Sequence, residues 1–523
     1  MITLIAQIVL LVATTLYVGV ALKYELQMMQ QNSYRNNRYW NWMVKNGDSS
    51  SPRRLTLYFL FLTTCTRFTP AIVHPIIALV LLILAIRELR TKYKKPVVFT
   101  RRATRLYIAS WVVALICPIV MGVLTHFDMQ VIIISMLASA AFSWVMILIA
   151  NLLMQPIELH INRGFYNEAK KILESMPNLR IIGVTGSYGK TSTKHYLYRI
   201  LSEKYNVLMT PGSYNTPMGV IRTVREMMKP YHDIFIVEMG AKQLGDIKEI
   251  CDLVCPTIGI VTAVGEQHLE SFKSIENVQR TKFELIDALP ADGLGVINND
   301  FEYIANRPVD NVTVKRYAIA PGNDYHVENI DYGTVETRFT VVGEGHRVDL
   351  VTKLVGDCNL SNLMASVIVA MYLGVPEKSI RYGVSQIEQV EHRLNMKRTP
   401  GGLSIIDDAF NSNPDGARMA LDVLSRIKTG KRIVITPGMI ELGDKQVEYN
   451  QRLGEQMAAA ADYVMVVGSY NRDAILAGLA QGGMAEDNIF IADNFVAAQA
   501  RLIQIARSGD VVLYENDLPD TFK

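Results

Sequence analysis

Cysteine is scarce and scattered, with five residues in 523, at Cys65, Cys117, Cys251, Cys255 and Cys358. That pattern excludes a disulfide framework, and two of the five lie inside apolar runs, where a thiol behaves as a small hydrophobe. Cys251 and Cys255 form a C-x3-C pair, but no second pair or histidine stands near them in sequence, so a zinc centre is not indicated. An excess of one charge is also missing. The 53 basic and 50 acidic residues leave +3, with no basic surplus to mark a nucleic-acid binder. There is no internal repeat, no low-complexity tract and no ABC-type signature of an ATP-driven transporter. The first apolar run lacks a basic segment ahead of it and has further apolar runs behind it, which fits a cleaved signal peptide poorly.

Apolar length is what the chain has in abundance near its start. A run of about 20 apolar residues crosses a bilayer. Runs 2–22, 70–86, 106–125 and 131–154 meet this, predicting a membrane domain over 1–154 with about four transmembrane helices. The run 55–64 is too short to cross alone, and with Arg67 and Pro70 after it reads as a re-entrant arm or half of a tight hairpin. Lysine and arginine set the orientation. The 87–105 loop carries Arg87, Arg90, Lys92, Lys94, Lys95, Arg101, Arg102 and Arg105 and is expected in the cytoplasm; the 125–130 turn carries no Lys or Arg and is expected outside. The last span then delivers 155–523 to the cytoplasm, making a multi-pass protein of the cell (inner) membrane. The 23–54 loop is basic too (Lys23, Arg35, Arg38, Lys45, Arg53, Arg54). Either it is inside, with the N-terminus outside and 55–86 entering and returning, or 55–86 crosses once and the loop breaks the charge rule. Residues 155–177 read as a connector. It is either amphipathic at the membrane surface, with Arg163, Lys170 and Lys171 toward headgroups, or a solvated linker helix.

Residues 181–194 read Ile-Ile-Gly-Val-Thr-Gly-Ser-Tyr-Gly-Lys-Thr-Ser-Thr-Lys. An apolar β-type run, a glycine loop, Lys-Thr and a helical stretch follow in the order that holds a triphosphate. Gly186 and Gly189 let the backbone turn its N–H groups of the Ser187–Ser192 stretch toward phosphates, and the helix start adds its positive end. Lys190 supplies a point charge and the Thr191 hydroxyl a Mg²⁺ ligand. The longer Walker spacing is not met, because Val184 stands where its first glycine belongs. The plainer alternative is a glycine-rich turn with a surface lysine; the flanking strand and helix argue against it. Strand-like runs at 207–209, 234–237, 258–264 and 295–297 alternate with helical stretches, the rhythm of a parallel sheet covered by helices. In such sheets ligands sit beyond the carboxyl ends of strands. Glu238 closes one strand and His268 follows another, with Lys282 on the next helix. An isolated strand-end glutamate is usually only solvated, but beside a phosphate loop it is a natural Mg²⁺ ligand.

A second unit begins near residue 395, with strands at 404–406, 432–436, 463–467, 489–492 and 511–514, and reads as a small Rossmann-type domain. Its Asp407-Asp408 pair at a strand end is as compatible with a helix cap as with a site.

Seven motifs occur in an order that resembles the Mur ligases: Thr-Gly-Ser-Tyr-Gly-Lys-Thr-Ser, Tyr-Asn215-Thr-Pro-Met-Gly219, Val-Glu238-Met-Gly, Glu-Gln-His268-Leu-Glu, Lys282, Asn298-Asn-Asp300 and Asp-Asp-Ala-Phe-Asn-Ser-Asn-Pro. Pro437-Gly-Met-Ile-Glu441-Leu-Gly443 adds to the likeness, which covers roughly 178–515 and is strongest to the branch that adds D-alanyl-D-alanine to a UDP-muramoyl-tripeptide. With the α-helical membrane domain read from the apolar runs, the resemblance implies an α/β remainder: a central P-loop domain at 178–394 and a C-terminal Rossmann-like domain at 395–523. It implies an ADP-forming acid–amino-acid ligase working through an acyl phosphate. Lys190, His268 and Lys282 would be catalytic. Thr191, Glu238, His268 and a carbamylated Lys282 would hold Mg²⁺. ATP would be met by Gly186, Ser187, Gly189, Lys190, Thr191 and Ser192, with Asn298 and Asp300 near the adenine, Asn359 as a further contact, and Arg393 and Asp408 reaching over from the C-terminal domain. The expected partners are an envelope precursor, an amino acid or dipeptide, membrane lipid and a protein partner.

Three departures from the family stand out. Membrane runs occupy the place of the UDP-sugar domain, pointing to a lipid-linked acceptor. Cys358 stands where the family usually has His. Tyr514-Glu515-Asn516-Asp517 replaces a basic Lys-Gly-Ser-Arg segment, which points to a different and cationic amine. The other readings are a ligase of the poly-γ-glutamate type and a non-catalytic ATP-binding membrane protein.

Overall fold

A computed structural model describes residues 2–45, 48–65, 73–93, 95–266, 269–332, 336–390, 394–409 and 412–518. Contacts divide the chain into two units, Met1–Arg163 with Leu518–Lys523, and Gly164–Asp517.

The first unit is helical: α1 (Ile2–Gln31), α2 (Asn36–Lys45), α3 (Pro52–Cys65), α4 (Val73–Arg90), α5 (Arg101–Leu124), α6 (Met129–Ala141) and the start of α7 (Ser143–Glu174). Among the described residues, three helical stretches are long and apolar enough to cross a membrane: Thr3–Gln31, Arg101–Leu124 and Ser143–Glu174. The four runs expected from hydropathy map onto these helices as follows. The 131–154 run is two helices, because the chain leaves helical geometry at Phe142 (φ −106°, ψ 28°) before α7 begins. Hydropathy averages composition and is blind to a one-residue break in backbone direction. The 70–86 run becomes the 18-residue α4, whose last turn carries Arg87 and Arg90, and residues 70–72 lie outside the described residues. The expected 125–130 turn is present, with Asp128 capping α6 through Gln130 and Val131 N–H. The expected 155–177 connector is helical up to Glu174, where it forms the second half of α7.

The buried charges at the centre of this unit are paired. Glu25 is 1% exposed and pairs with Arg54 at 3.0 Å, while accepting from the Tyr39 and Ser143 hydroxyls. Arg54 also pairs with Asp48 at 2.7 Å. A buried charge persists only when paired this fully.

The second unit opens with a nine-stranded sheet. Its strands are β1 (Arg180–Thr185), β2 (Val207–Met209), β3 (Ile234–Glu238), β4 (Ile258–Val261), β5 (Leu294–Asn298), β6 (Thr313–Tyr317), β7 (Tyr325–Tyr332), β8 (Thr337–Gly343) and β9 (His346–Thr352). The order is β2-β3-β1-β4-β5-β6-β7-β8-β9. β3, β4 and β5 are buried along their whole length, as strands covered on both faces must be, which is why they read as unbroken apolar runs. The arm β7–β8–β9 is antiparallel and was not anticipated. β9 alternates exposed and buried residues and includes His346, Arg347 and Asp349, so a search for apolar runs passes over it.

The C-terminal sheet has order β10-β11-β15-β12-β13-β14, from β10 (Asn395–Arg398), β11 (Ser404–Asp408), β12 (Arg432–Thr436), β13 (Tyr463–Val467), β14 (Ile489–Ala492) and β15 (Val511–Glu515). All pairings but β10–β11 are parallel, and the expected Rossmann-like strands are all present.

Candidate active site

β1 ends at Thr185 and the chain turns at once into α8 (Lys190–Leu201). Gly186 has φ +152°, and a Cβ there would meet Thr262 Oγ1 at 2.1 Å and the Ala263 nitrogen at 2.9 Å. Gly189, the residue before α8, has φ +80° and lies against the Asn362 amide, 2.3 Å from where its Cβ would be. Both positions require glycine, and they bend the loop so that the free N–H groups of the α8 start face outward. Ser187 pins the loop to the end of β4, its N–H donating to Ala263 O at 2.8 Å and its hydroxyl to Gly265 O at 3.0 Å. The Ser187 side chain is thus fastened to the scaffold, and its place in the loop is structural. Lys190 curls back, its Nζ 2.5 Å from Gly186 O and 3.0 Å from Ser187 O. An ammonium held over the loop's own carbonyls stands where a polyphosphate would draw it outward. Thr191 is half-buried at the first turn of α8, and Ser192 is buried behind it.

Glu238 ends β3, directly opposite Val184 of β1, which places its carboxylate at the mouth of the phosphate loop. It is 1% exposed. Lys194 Nζ lies 2.9 Å from Oε2, Asn215 Nδ2 donates to Oε1 at 3.0 Å, and the Glu238 N–H donates to Thr210 Oγ1 at 3.1 Å. Burial pushes this carboxyl upward, but Lys194, Lys190 and the Asn215 hydrogen bond outweigh it and hold it below the ordinary glutamate value. It is therefore an ionised carboxylate inside the protein. Lys282, on the helix Ile275–Asp287, is 2% exposed. Burial, with Lys190 adding to it, pushes its ammonium well below the ordinary lysine value, against the weaker pull of Asp246 and Glu284. The Lys190 charge is thus felt at both Glu238 and Lys282. A hydroxyl, a carboxylate and a glycine-loop helix start form a hard-oxygen and N–H donor set that fits Mg²⁺ with a triphosphate. Among the described residues no three His, Cys, Asp or Glu side chains cluster as a metal cage, and His268 lies outside those residues.

The remaining expected contacts divide. Asn298 donates to Thr262 O and Ser361 Oγ, each at 2.9 Å, and Asp300 accepts from Ser361 at 3.2 Å and from Ile319 N–H at 2.9 Å. They form one network beside the loop that follows β4. Burial raises the Asp300 carboxyl against those two hydrogen bonds. Asn359 is committed elsewhere, to the Tyr196 hydroxyl and Val355 O at 2.9 Å each, and it is Asn362, one turn on, that meets the phosphate loop. Asp408 ends β11, accepting Leu394 N–H at 3.1 Å, while Arg393 lies outside the described residues. The C-terminal domain is tied to the central one by Lys445–Glu266 at 2.7 Å and Lys242–Glu441 at 3.6 Å. Lys194 was not anticipated as a site residue. Lys194 had a signal: it sits one helical turn after Lys190, on the same face of α8.

A parallel sheet with a glycine phosphate loop, a buried strand-end carboxylate and an attached Rossmann-like domain define the class, a two-domain nucleotide-using ligase scaffold. Residues 184–370 match the family model of the Mur ligase middle domain, and 392–514 that of the Mur ligase, glutamate ligase domain. The chain belongs to the Mur ligase family. It is 30% identical over 338 residues to the UDP-N-acetylmuramoyl-tripeptide–D-alanyl-D-alanine ligase of Synechocystis, covering 64% of this chain and 71% of that one. The enzyme of the same name from Bacillus subtilis is 30% identical over 287 residues, 55% of this chain and 62% of its own length. The chain thus spans between three-fifths and three-quarters of these relatives. Among solved structures, MurF ligase from Thermotoga maritima in complex with ADP superposes with a TM-score of 0.62 at 25% identity, covering 68% of this chain and 80% of that one.

Proposed function

We propose that this protein is a membrane-anchored, ADP-forming amide ligase that extends a cell-envelope precursor on the cytoplasmic leaflet. The observation that carries the reading is the glycine loop bearing Lys190, with the buried strand-end carboxylate of Glu238 at its mouth and a buried Lys282 on the helix Ile275–Asp287. A protein that only sensed nucleotide would need the glycine loop but not a desolvated lysine beside it. The relatives' names supply the substrate class, a muramoyl peptide and a D-alanyl dipeptide or another amine.

In this reading an acceptor carboxylate oxygen attacks the γ-phosphorus and ADP leaves. The amine nitrogen then attacks the acyl carbon, loses its proton, and phosphate departs. Lys190 and the α8 N-terminal N–H groups neutralise charge on the transferring phosphoryl group. Thr191 and Glu238 would hold Mg²⁺, which would supply charge screening for the phosphates. Lys282, whose ammonium is disfavoured by burial, would be an amine able to add CO₂ as a carbamate, releasing a proton to solvent, and so become anionic. Asn298 and Asp300 lie toward the adenine and Asp408 toward the ribose. The Lys445–Glu266 and Lys242–Glu441 pairs draw the C-terminal domain over the site and keep water from an acyl phosphate.

Anchorage rests on α1 and α5. Leu4, Ile5, Ile8, Val9, Val12 and Leu16 of α1 are all at least 45% exposed, as are Ile108, Val112, Ile116 and Ile119 of α5. Apolar stripes of that length are at home against acyl chains. Acceptors delivered on lipid would meet the ligase at that surface.

The test is phosphate release by detergent-purified chain with ATP and Mg²⁺. One arm offers soluble UDP-muramoyl-tripeptide with D-alanyl-D-alanine, the other lipid-linked muropeptides with a panel of amino acids. Stimulation confined to the lipid arm, with a mass gain of one residue, is the expected result. Stimulation by the soluble pair alone would refute the lipid-linked acceptor, and no stimulation in either arm would refute the envelope assignment.

A further inference from the structure

Lys194 is a lysine with no exposed surface (0%), and nothing in the reaction outlined above uses it. Its ammonium lies 2.9 Å from Glu238 Oε2 and donates to Gly212 O at 2.6 Å. The opposite oxygen of the same carboxylate accepts from Asn215 Nδ2 at 3.0 Å. Gly212 and Asn215 belong to one loop, between β2 and the helix Pro217–Met227. That loop is wedged against the residues after β3, since a Cβ on Gly240 would meet the Asn215 amide at 2.7–3.0 Å. Three elements therefore close on Glu238: α8 through Lys194, the loop through Asn215, and β3 through its own backbone. Asn215 hydrogen-bonds one oxygen and the Lys194 ammonium stands in ion-pair range of the other, so the carboxylate is held between two elements.

Taking an ammonium fully out of water is costly, and a buried ion pair seldom outperforms apolar packing of the same volume. Stability alone is thus a poor reason for a charge pair here. The pair does two other things. It fixes the direction of Glu238, and it shares the carboxylate's single negative charge with a cation. A carboxylate so compensated attracts a divalent ion only weakly by itself. It becomes an effective ligand once a triphosphate adds its own charges to the site.

We propose that Lys194 is a positioning residue that aims Glu238 and tempers its charge, so that Mg²⁺ enters the site with the nucleotide and not before it. The inference rests on the ligase reading above and deepens it by giving an order of assembly.

The experiment compares the full-length wild-type chain with Lys194→Met by calorimetric titration of Mg²⁺, first alone and then with the non-hydrolysable analogue AMP-PNP, alongside turnover. Wild type should bind Mg²⁺ only with AMP-PNP. Lys194→Met should gain nucleotide-independent Mg²⁺ binding, because it removes the cation paired with Glu238, while turnover falls roughly ten-fold or more through misdirection of Glu238. A gain in metal binding with a loss of turnover is a split that simple structural damage does not produce. If Lys194→Met does not fold, Lys194→Gln, still able to donate to Glu238 without charge, carries the same metal titration. Turnover and metal binding unchanged, or both reduced together, would overturn the proposal. Wild type failing to bind Mg²⁺ even with AMP-PNP would sink the ligase reading along with it.

Discussion

Asp408 and Glu515 end neighbouring parallel strands and stand directly opposite each other in the β11–β15 register. Glu515 is 1% exposed; Ser412 donates to its Oε1, and among the described residues its Oε2 has no hydrogen-bond partner. Burial, and then the nearby Asp408 charge, push the Glu515 carboxyl well above the ordinary glutamate value, with Ser412 pulling the other way.

The sign of the consequence follows. An acid whose folded value is raised holds its proton better when folded. Its stabilising effect is complete below the ordinary value of 4.5 and is lost as pH rises through the raised folded value. Glu515→Gln keeps the shape and the Ser412 contact but cannot ionise. It should be more stable than wild type by on the order of 1–3 kcal/mol at pH 8, and indistinguishable from it near pH 4. Urea unfolding at the two pH values decides this, and a pH-independent difference would contradict it.

Gly186 sets the phosphate loop against the end of β4. Replacing it with alanine puts a Cβ 2.9 Å from the Ala263 backbone nitrogen and 2.1 Å from Thr262 Oγ1, at φ +152°. Backbone cannot give way as a flexible side chain can. Gly186→Ala should lower stability by about 2 kcal/mol or more and abolish binding of a fluorescent ADP. Unaltered ADP binding would mean that the loop is not the nucleotide seat.

Lys190 carries charge rather than fold. It is half-buried, and its ammonium bonds to loop carbonyls that the surrounding backbone already fixes. Lys190→Ala should cost roughly 10²–10³ in turnover while circular dichroism and melting stay near wild type. Full activity in this variant would displace the proposed nucleotide site altogether.

The basic loop 87–105 and the Lys- and Arg-free turn 125–130 make opposite predictions for reporter fusions. A phosphatase fused at His126 should be active outside the cell, and a fluorescent protein fused after Lys523 should fluoresce in the cytoplasm. The reverse pair would invert the topology and strand the nucleotide site away from ATP.

How much of this was legible follows from what each feature depends on. β3, β4 and β5 are covered on both faces, so they announce themselves as apolar runs, and the glycines at 186 and 189 mark the loop because no other residue tolerates that backbone. The arm β7–β9 is one-sided and mixes charged with apolar residues, so its period of two is masked. Phe142 breaks a helix without any proline or glycine to show it. Asn359 and Asn362 cannot be told apart by type; only the turn of the helix Asp357–Tyr372 decides which of them reaches Gly189. Lys194 was hidden by habit, since a lysine in a helix is ordinarily assigned to solvent.

Lys282 offers the sharpest test of the chemistry. Buried at 2% exposure beside Lys190, it holds its proton less well in the folded chain than in the unfolded one. Between its depressed folded value and the ordinary 10.5, the unfolded state binds more protons, so stability rises with pH across that window. In CO₂-free buffer, Lys282→Met should therefore be more stable than wild type at pH 7, with the gap closing toward pH 10.5. Added bicarbonate should reverse the ranking if Lys282 forms a carbamate, because an anion attracted by the Lys190 charge replaces an amine whose charged form that charge disfavours. The same bicarbonate should raise wild-type turnover, leave Lys282→Met inactive, and at high concentration partly restore Lys282→Ala, as a short carboxylate should too. Stability and turnover both indifferent to bicarbonate would leave Lys282 a buried amine with no part in holding metal, and the second metal ligand would have to come from elsewhere in the site.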